Sequence, residues 1–287
     1  MTLRELYNLA RARFSAAGID APAFDAAALT ELVFGVGRSA LLLQGDRPAD
    51  PKQEETFLAL VTRREQREPL QYLLGAWEFM DMQLSTGPGV LCPREETELL
   101  CQTAAAALGG APCIGLDLCA GTGAVALGLH RLCPQAVVTA VEISPDAAKY
   151  AKENIEKYGD GAVSLVMGDV LSSTFADELV EKPLDFILSN PPYIASRELP
   201  GLQAEVQKEP ALALDGGEDG QVFYRAILTH WAPKLRPGGV LAVEIGEDQG
   251  EAVSGLFRAA GFSAQVEQDF AGLDRVVFGE RMFEKFC

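Results

Sequence analysis

The chain is poor in histidine: His130 and His230 are its two, and the six cysteines (Cys92, Cys101, Cys113, Cys119, Cys133, Cys287) form no C-x-x-C pair. A metal-ligand cluster of the usual spacing cannot be assembled from them, so no metal site is expected. The cysteines read as free thiols in a reducing compartment. Positive charge is also scarce. Lys+Arg number 24 against Asp+Glu 41, a net charge of -17, and the resulting field repels phosphate backbones and favours a basic partner. The arginines are scattered through "RARF", "TRREQR" and "KLRPGG" rather than gathered into a stripe, so nucleic acid is not expected as the direct substrate. A long apolar run is missing too. The first residues, "MTLRELYNLARARF", alternate charged with apolar positions, which excludes a signal peptide or membrane span there and suggests a cytoplasmic protein.

What is present is an ordinary globular composition, 48% hydrophobic and 23% charged, with no internal repeat or low-complexity tract. Residues 2–17, 23–34 and 51–67 carry apolar positions at helical spacing, with Pro22 and Pro51 near two starts. They predict a small N-terminal helical bundle over residues 1–75. In "WEFMDMQLSTGPGVLCP", Trp77, Phe79 and the turn residues Gly87, Pro88 and Gly89 predict a β-hairpin connector over 76–92. From residue 93 to 287, short apolar runs alternate with helical ones. "CIGLDL", "AVVTAVEI", "AVSLVM", "LDFILS" and "GVLAVEI" read as strands of an α/β fold with a parallel sheet covered on both faces. After a helix near 249–260, "SAQVEQDF" and "DRVVFGE" flank a short "AGL" turn, so the sheet should end in an antiparallel hairpin.

"LDLCAGTGAVAL" places Asp117 at the end of the first of these strands, then Gly121 and Gly123, then a helix opening near Ala124. Glycines there let backbone approach a ligand, and the helix N-terminus offers free N–H groups. Glu142 ends the second strand, 21 residues beyond Gly121 (142 minus 121), where a carboxylate can take both ribose hydroxyls. A nucleoside-containing cofactor is implied. Gly121, Gly123 and Ala126 also satisfy the dinucleotide fingerprint G-x-G-x-x-G/A, so the loop alone leaves a nicotinamide cofactor open.

The fourth strand ends in a rigid corner, Asn190-Pro191-Pro192-Tyr193. Asn190 offers a side-chain carbonyl, Pro191 a main-chain carbonyl on a restricted backbone, and Tyr193 a flat ring. Two acceptors and a stacking plane suit a planar NH2 group. An amide or aromatic amine nitrogen is a poor nucleophile because its lone pair is delocalised. Acceptors on its hydrogens orient it and stabilise the positive charge that grows as it attacks. A methyl on a sulfonium is a fitting electrophile, needing neither metal nor covalent enzyme intermediate. Hydride transfer has no use for such a corner.

These residues resemble S-adenosylmethionine-dependent methyltransferases with an Asn-Pro-Pro-Tyr motif, and more narrowly the HemK/PrmC family of release factor glutamine methyltransferases. "REPLQYLLGAWEF", "PREETELL", "EPALALDGGEDGQVFYR", "LRPGGVLAVEIGEDQG" and "AGLDRVVF" are similar to successive family blocks. The resemblance implies a Rossmann-like seven-stranded methyltransferase domain behind a helical domain that recognises substrate. It implies methyl transfer from S-adenosyl-L-methionine, leaving S-adenosyl-L-homocysteine, to the side-chain amide nitrogen of glutamine in the Gly-Gly-Gln motif of peptide chain release factors. Cys119, Ala120, Gly121, Thr122, Gly123, Glu142, Asp169, Val170 and Asn190 would line the cofactor site. Asn190, Pro191, Pro192 and Tyr193 would bind the glutamine, with Asn190, Pro191 and Tyr193 catalytic. A monomer is expected. Cys119 and Ala120 stand where the family commonly has Gly-Thr, Glu142 where Asp is frequent, and Glu95 where proline is often found. "PREETELL" is expected to act indirectly, as a helix start in which Arg94 pairs with Glu96 or Glu98. Two related readings share the corner: methylation of a ribosomal-protein glutamine and of a nucleic-acid exocyclic amine. A cofactor-binding scaffold without chemistry is the reading from another class.

Overall fold

The computed structural model describes residues 1–282; Cys287 lies outside them. The chain divides into two compact units, one comprising Met1–Ala76 with Gln203–Lys208, the other Trp77–Leu202 with the rest of the chain.

The first unit is helical: α1 (Leu3–Ala16), α2 (Pro22–Phe34), α3 (Leu41–Gln44), α4 (Pro51–Glu65) and α5 (Leu70–Leu74). Thr2 opens α1 with a capping box, its hydroxyl accepting from Glu5 N at 3.2 Å while Glu5 Oε2 accepts from Thr2 N at 2.8 Å. Leu3, Leu6, Ala10 and Phe14 form its buried face. Pro22 and Pro51 sit in the first turns of α2 and α4, where their missing N–H costs nothing. One buried cation organises the unit. Arg64 donates to Asp25 Oδ2 at 2.7 Å and lies 2.8 Å from Glu205 Oε1, while Arg67 reaches Glu205 Oε2 at 2.6 Å. Glu205 thereby ties Gln203–Lys208 to the helices. A pattern of local periodicity does not reveal this long-range attachment.

A two-stranded hairpin of β1 (Ala76–Phe79) and β2 (Met82–Ser85) follows α5, and from Trp77 on it belongs to the second unit. Its reversal falls at Met80 and Asp81 (φ 49° and 58°), the doubly left-handed turn that hairpin twist favours. The turn residues Gly87, Pro88 and Gly89 instead form a loop after β2, so the sequence reading misplaced the turn. The signal was weak because Met is an uncommon residue there; Glu98 Oε1 accepts Met80 N at 2.8 Å and holds it.

After a 3-10 turn (Glu95–Thr97) come α6 (Glu98–Leu108), β3 (Cys113–Leu118), α7 (Ala124–Leu132), β4 (Ala136–Glu142), α8 (Pro145–Tyr158), β5 (Val163–Met167), α9 (Ser173–Leu179) and β6 (Leu184–Ser189). Then follow α10 (Val222–Ala226), β7 (Leu235–Glu244), α11 (Gly250–Ala259), β8 (Gln265–Gln268) and β9 (Asp274–Glu280). The seven-stranded sheet has the order β5-β4-β3-β6-β7-β9-β8. Strands β3 to β7 are parallel, and β9 pairs antiparallel with both β7 and β8. This is the Rossmann-like α/β architecture with the expected terminal hairpin. Period-two alternation splits the core between the two faces: Phe186, Leu188, Val240 and Ala242 pack on one side, Ile187, Leu241 and Val243 on the other. Among the described residues no helix is long and apolar enough to cross a membrane.

Candidate active site

Strand order reverses at β3, which pairs with β4 on one side and β6 on the other. In an open parallel sheet the loops leaving the carboxyl ends of such strands diverge and leave a crevice. Here those loops are Cys119–Gly123 after β3 and Asn190–Tyr193 after β6. Ser189 Oγ donates to Leu118 O at 2.7 Å, fastening one strand end to the other.

One cleft is lined by Cys119, Ala120, Gly121, Thr122, Glu142, Asp169, Val170, Asn190 and Pro192. Of the remaining expected residues, Gly123 (φ 81°) immediately precedes α7, Pro191 is buried in the corner, and Tyr193 is half-buried behind it. None of these three lines the cleft. Sequence reasoning did not assign Val90, Thr97, Leu212 and Phe223, which do. Val90, Leu212 and Phe223 supply apolar wall; nothing in their local sequence marks them, because separate loops bring them together.

Asp117 is fully buried at the end of β3, with Oδ2 accepting Ala126 N at 2.9 Å and so anchoring the first turn of α7. Burial pushes its carboxyl up to about 8. Glu142 accepts three backbone N–H groups: Gly121 at 2.8 Å on Oε2, and Ile143 at 2.9 Å and Ser144 at 2.7 Å on Oε1. Its carboxyl is raised by burial, opposed by those same bonds. From α8, Asn154 Nδ2 donates to Thr122 O and Ser85 O, each at 3.0 Å, bracing the loop against the hairpin. Cys119 is left-handed (φ 64°), a conformation that favours glycine. Its thiol is pushed up, first by burial and then by the Glu142 charge, the opposite of an activated nucleophile.

The corner is equally braced. Asn190 Nδ2 donates to Thr97 Oγ1 at 3.1 Å, and Thr97 Oγ1 donates to Glu244 Oε2 at 2.6 Å. The Tyr193 hydroxyl reaches Glu244 Oε1 at 3.4 Å, while its carbonyl accepts Gln249 Nε2 at 3.0 Å. A Cβ on Gly220 would stand 2.4 Å from Tyr193 O, so only glycine lets that segment close on the corner. Arg94 does not pair with Glu96 or Glu98. Its partner is Glu209, which also accepts Cys92 N at 2.8 Å; the buried Glu209 carboxylate is a stronger attractor than the exposed Glu96, and Glu98 is taken by Met80 N. No cluster of three or more metal-ligating side chains occurs among the described residues.

The arrangement can take a nucleoside-sized ligand. Gly121 lines the cleft at φ 57°, and the nearest atom to a Cβ built there is Val90 Cγ2 at 3.9 Å. A side chain would project into the space between loop and Val90. Acceptors at Glu142 and Asp169 with apolar walls between them make a lining suited to ribose and a purine.

The chain is also similar to known proteins in sequence and in fold. Residues 5–75 match the family described as the PrmC N-terminal domain, and residues 81–218 match the methyltransferase small domain. The chain is 41% identical over 290 residues to a release factor glutamine methyltransferase of Moorella thermoacetica, covering 99% of this chain and 100% of that one. It is 38% identical to one of Geobacter sulfurreducens, covering 97% and 96%. Among solved structures, a methyltransferase from Pyrococcus furiosus superposes with a TM-score of 0.53 at 19% identity, covering 71% of this chain and 91% of that one; that likeness concerns the fold alone.

Proposed function

The chain belongs to the release factor glutamine methyltransferase family, and from that membership and the cleft we propose that it methylates the side-chain amide nitrogen of the Gly-Gly-Gln glutamine in peptide chain release factors, with S-adenosyl-L-methionine as donor. The observation that carries the reading is the meeting of two loops at one switch point: the glycine loop with Glu142, and the corner that begins at Asn190.

S-adenosyl-L-methionine, when bound, supplies a methyl group on a positively charged sulfur. Gly121 and its neighbours would hold it by backbone approach, Glu142 by its remaining acceptor capacity towards a ribose, and Asp169 and Val170 at the adenine end. Asn190 Oδ1 and the Pro191 carbonyl would accept the two amide hydrogens of the glutamine. Tyr193 would keep the amide plane aligned. These acceptors gain strength as positive charge grows on the attacking nitrogen, so they favour the transition state over the ground state. As the N–CH3 bond formed, the S–CH3 electron pair would return to sulfur, leaving the neutral thioether of S-adenosyl-L-homocysteine, and one amide proton would pass to solvent. The net charge of -17 suits a basic protein partner.

The test is peptide mass mapping of a purified release factor after incubation with the protein and S-adenosyl-L-methionine. One added methyl on the Gly-Gly-Gln glutamine is expected. An unmodified glutamine, with cofactor binding demonstrated, would overturn the substrate assignment and bring forward another protein glutamine.

A further inference from the structure

The corner works as a clamp only if Asn190 turns its oxygen, not its NH2, towards the substrate. The two ends of an asparagine amide have nearly the same shape, so packing alone does not choose between them. The choice is made by Thr97. This residue ends the 3-10 turn that runs into α6, with helical backbone (φ -66°, ψ -19°), and its hydroxyl makes no capping bond. Its hydroxyl has one proton, and that proton goes to Glu244 Oε2 at 2.6 Å. Only lone pairs are left to face Asn190, and lone pairs attract the NH2 end, found at 3.1 Å. Oδ1 is thereby the end left for the cleft that Asn190 lines.

Glu244 closes β7 and is 2% exposed, with no ion pair among the described residues. Such a carboxylate is costly to bury, and its two oxygens are occupied by the two halves of the corner, Thr97 with Asn190 on one and Tyr193 on the other. We propose that Thr97 and Glu244 are positioning residues: the ionised Glu244 carboxylate fixes the Thr97 hydroxyl, and that hydroxyl fixes the Asn190 amide with its oxygen towards the glutamine. The consequence for turnover rests on the methyl-transfer reading; the orientation itself does not. Arg275, Glu96 and the Tyr193 hydroxyl influence the Glu244 charge, and Cys101 and Tyr224 are affected by it in turn.

The test uses the full chain as wild type, Thr97→Val, Thr97→Ser and Glu244→Gln. Proton exchange of the Asn190 side-chain NH2 is followed by NMR on 15N-labelled protein, and kcat is measured with a release factor at saturating S-adenosyl-L-methionine. Thr97→Val removes the hydroxyl at nearly constant volume. It should speed Asn190 exchange and lower kcat by about tenfold or more, the scale of one well-placed hydrogen bond, with the KM for S-adenosyl-L-methionine little changed. Thr97→Ser should restore both. In wild type kcat should fall on the acid side as Glu244 takes up a proton, and Glu244→Gln should lose that limb. Unchanged exchange in Thr97→Val, or a serine variant no better than valine, would overturn the proposal. If wild type leaves the release factor unmethylated while exchange responds as stated, the substrate assignment falls and the positioning role stands.

Discussion

Glu142 Oε2 accepts the N–H of Gly121 at 2.8 Å, so the carboxylate that ends β4 also holds the glycine loop that follows β3. With three backbone donors on its two oxygens, about one of its four lone-pair sites remains for a ligand. Glu142→Ala removes both the loop tie and the ligand acceptor. It should weaken S-adenosyl-L-methionine binding by about 10- to 100-fold, the scale of a hydrogen bond to a charged group. Titration calorimetry checks this, and a change under about threefold would take Glu142 out of the cofactor site.

Asn190→Ala separates binding from chemistry. The lost oxygen acts on the attacking nitrogen, so turnover should fall by about two to three orders of magnitude, as when a transition-state hydrogen-bond partner is removed. Cofactor affinity should fall only modestly, because Asn190 is one of many residues on the cleft wall. Near-normal kcat in this variant would sink the clamp.

Cys119 gives a prediction of the opposite kind, an absence of reactivity. Its thiol is pushed up by burial and by Glu142 and stays protonated at pH 8, so native alkylation by iodoacetamide should be slow and should accelerate on unfolding. At φ 64° its side chain costs about 1 to 2 kcal/mol. Cys119→Gly removes that cost but frees the unfolded chain by about 0.4 to 1 kcal/mol, leaving stability within about 1 kcal/mol of wild type. Mass spectrometry of labelled peptides and denaturant melts check the two halves.

The glycine loop, Glu142 and the Asn-Pro-Pro-Tyr corner were legible because each is a local pattern at the end of an apolar strand, and strand ends are where an open sheet puts its chemistry. The helices α1, α2 and α4 were legible from apolar spacing and from Pro22 and Pro51, whereas the hairpin's reversal at Met80 and Asp81 was not. Thr97 was not, because within "PREETELL" it reads as one more residue of a helix start; its partners, Asn190 and Glu244, lie 93 and 147 residues away. Glu244 did leave a trace, an acid closing the apolar run "GVLAVEI", which resembles Glu142 closing β4. The attachment of Gln203–Lys208 to the helical unit left none, since the link from Arg67 to Glu205 spans 138 residues. Side chains that bond across such distances carry no periodic signature.

Glu244 sets stability against function over one pH window. Burial lifts its carboxyl from 4.5 to about 7, so below pH 4.5 both folded and unfolded chains hold the proton and the residue costs nothing. Between 4.5 and about 7 the unfolded chain ionises first, and stability is lost as pH rises, by about 3 kcal/mol in all at 1.36 kcal/mol per unit. Over the same range ionisation of Glu244 sets the Thr97 hydroxyl, so kcat should rise. Glu244→Gln has no proton to release. Its stability should therefore change less than that of wild type between pH 5 and pH 8, by about 2 to 3 kcal/mol, while its kcat becomes flat across that interval. Urea melts at the two pH values decide the first point and initial rates the second. Equal pH dependence of stability in variant and wild type would mean that Glu244 ionises in the fold as easily as in the open chain, and the cost of keeping a carboxylate beneath the corner would have to be sought elsewhere.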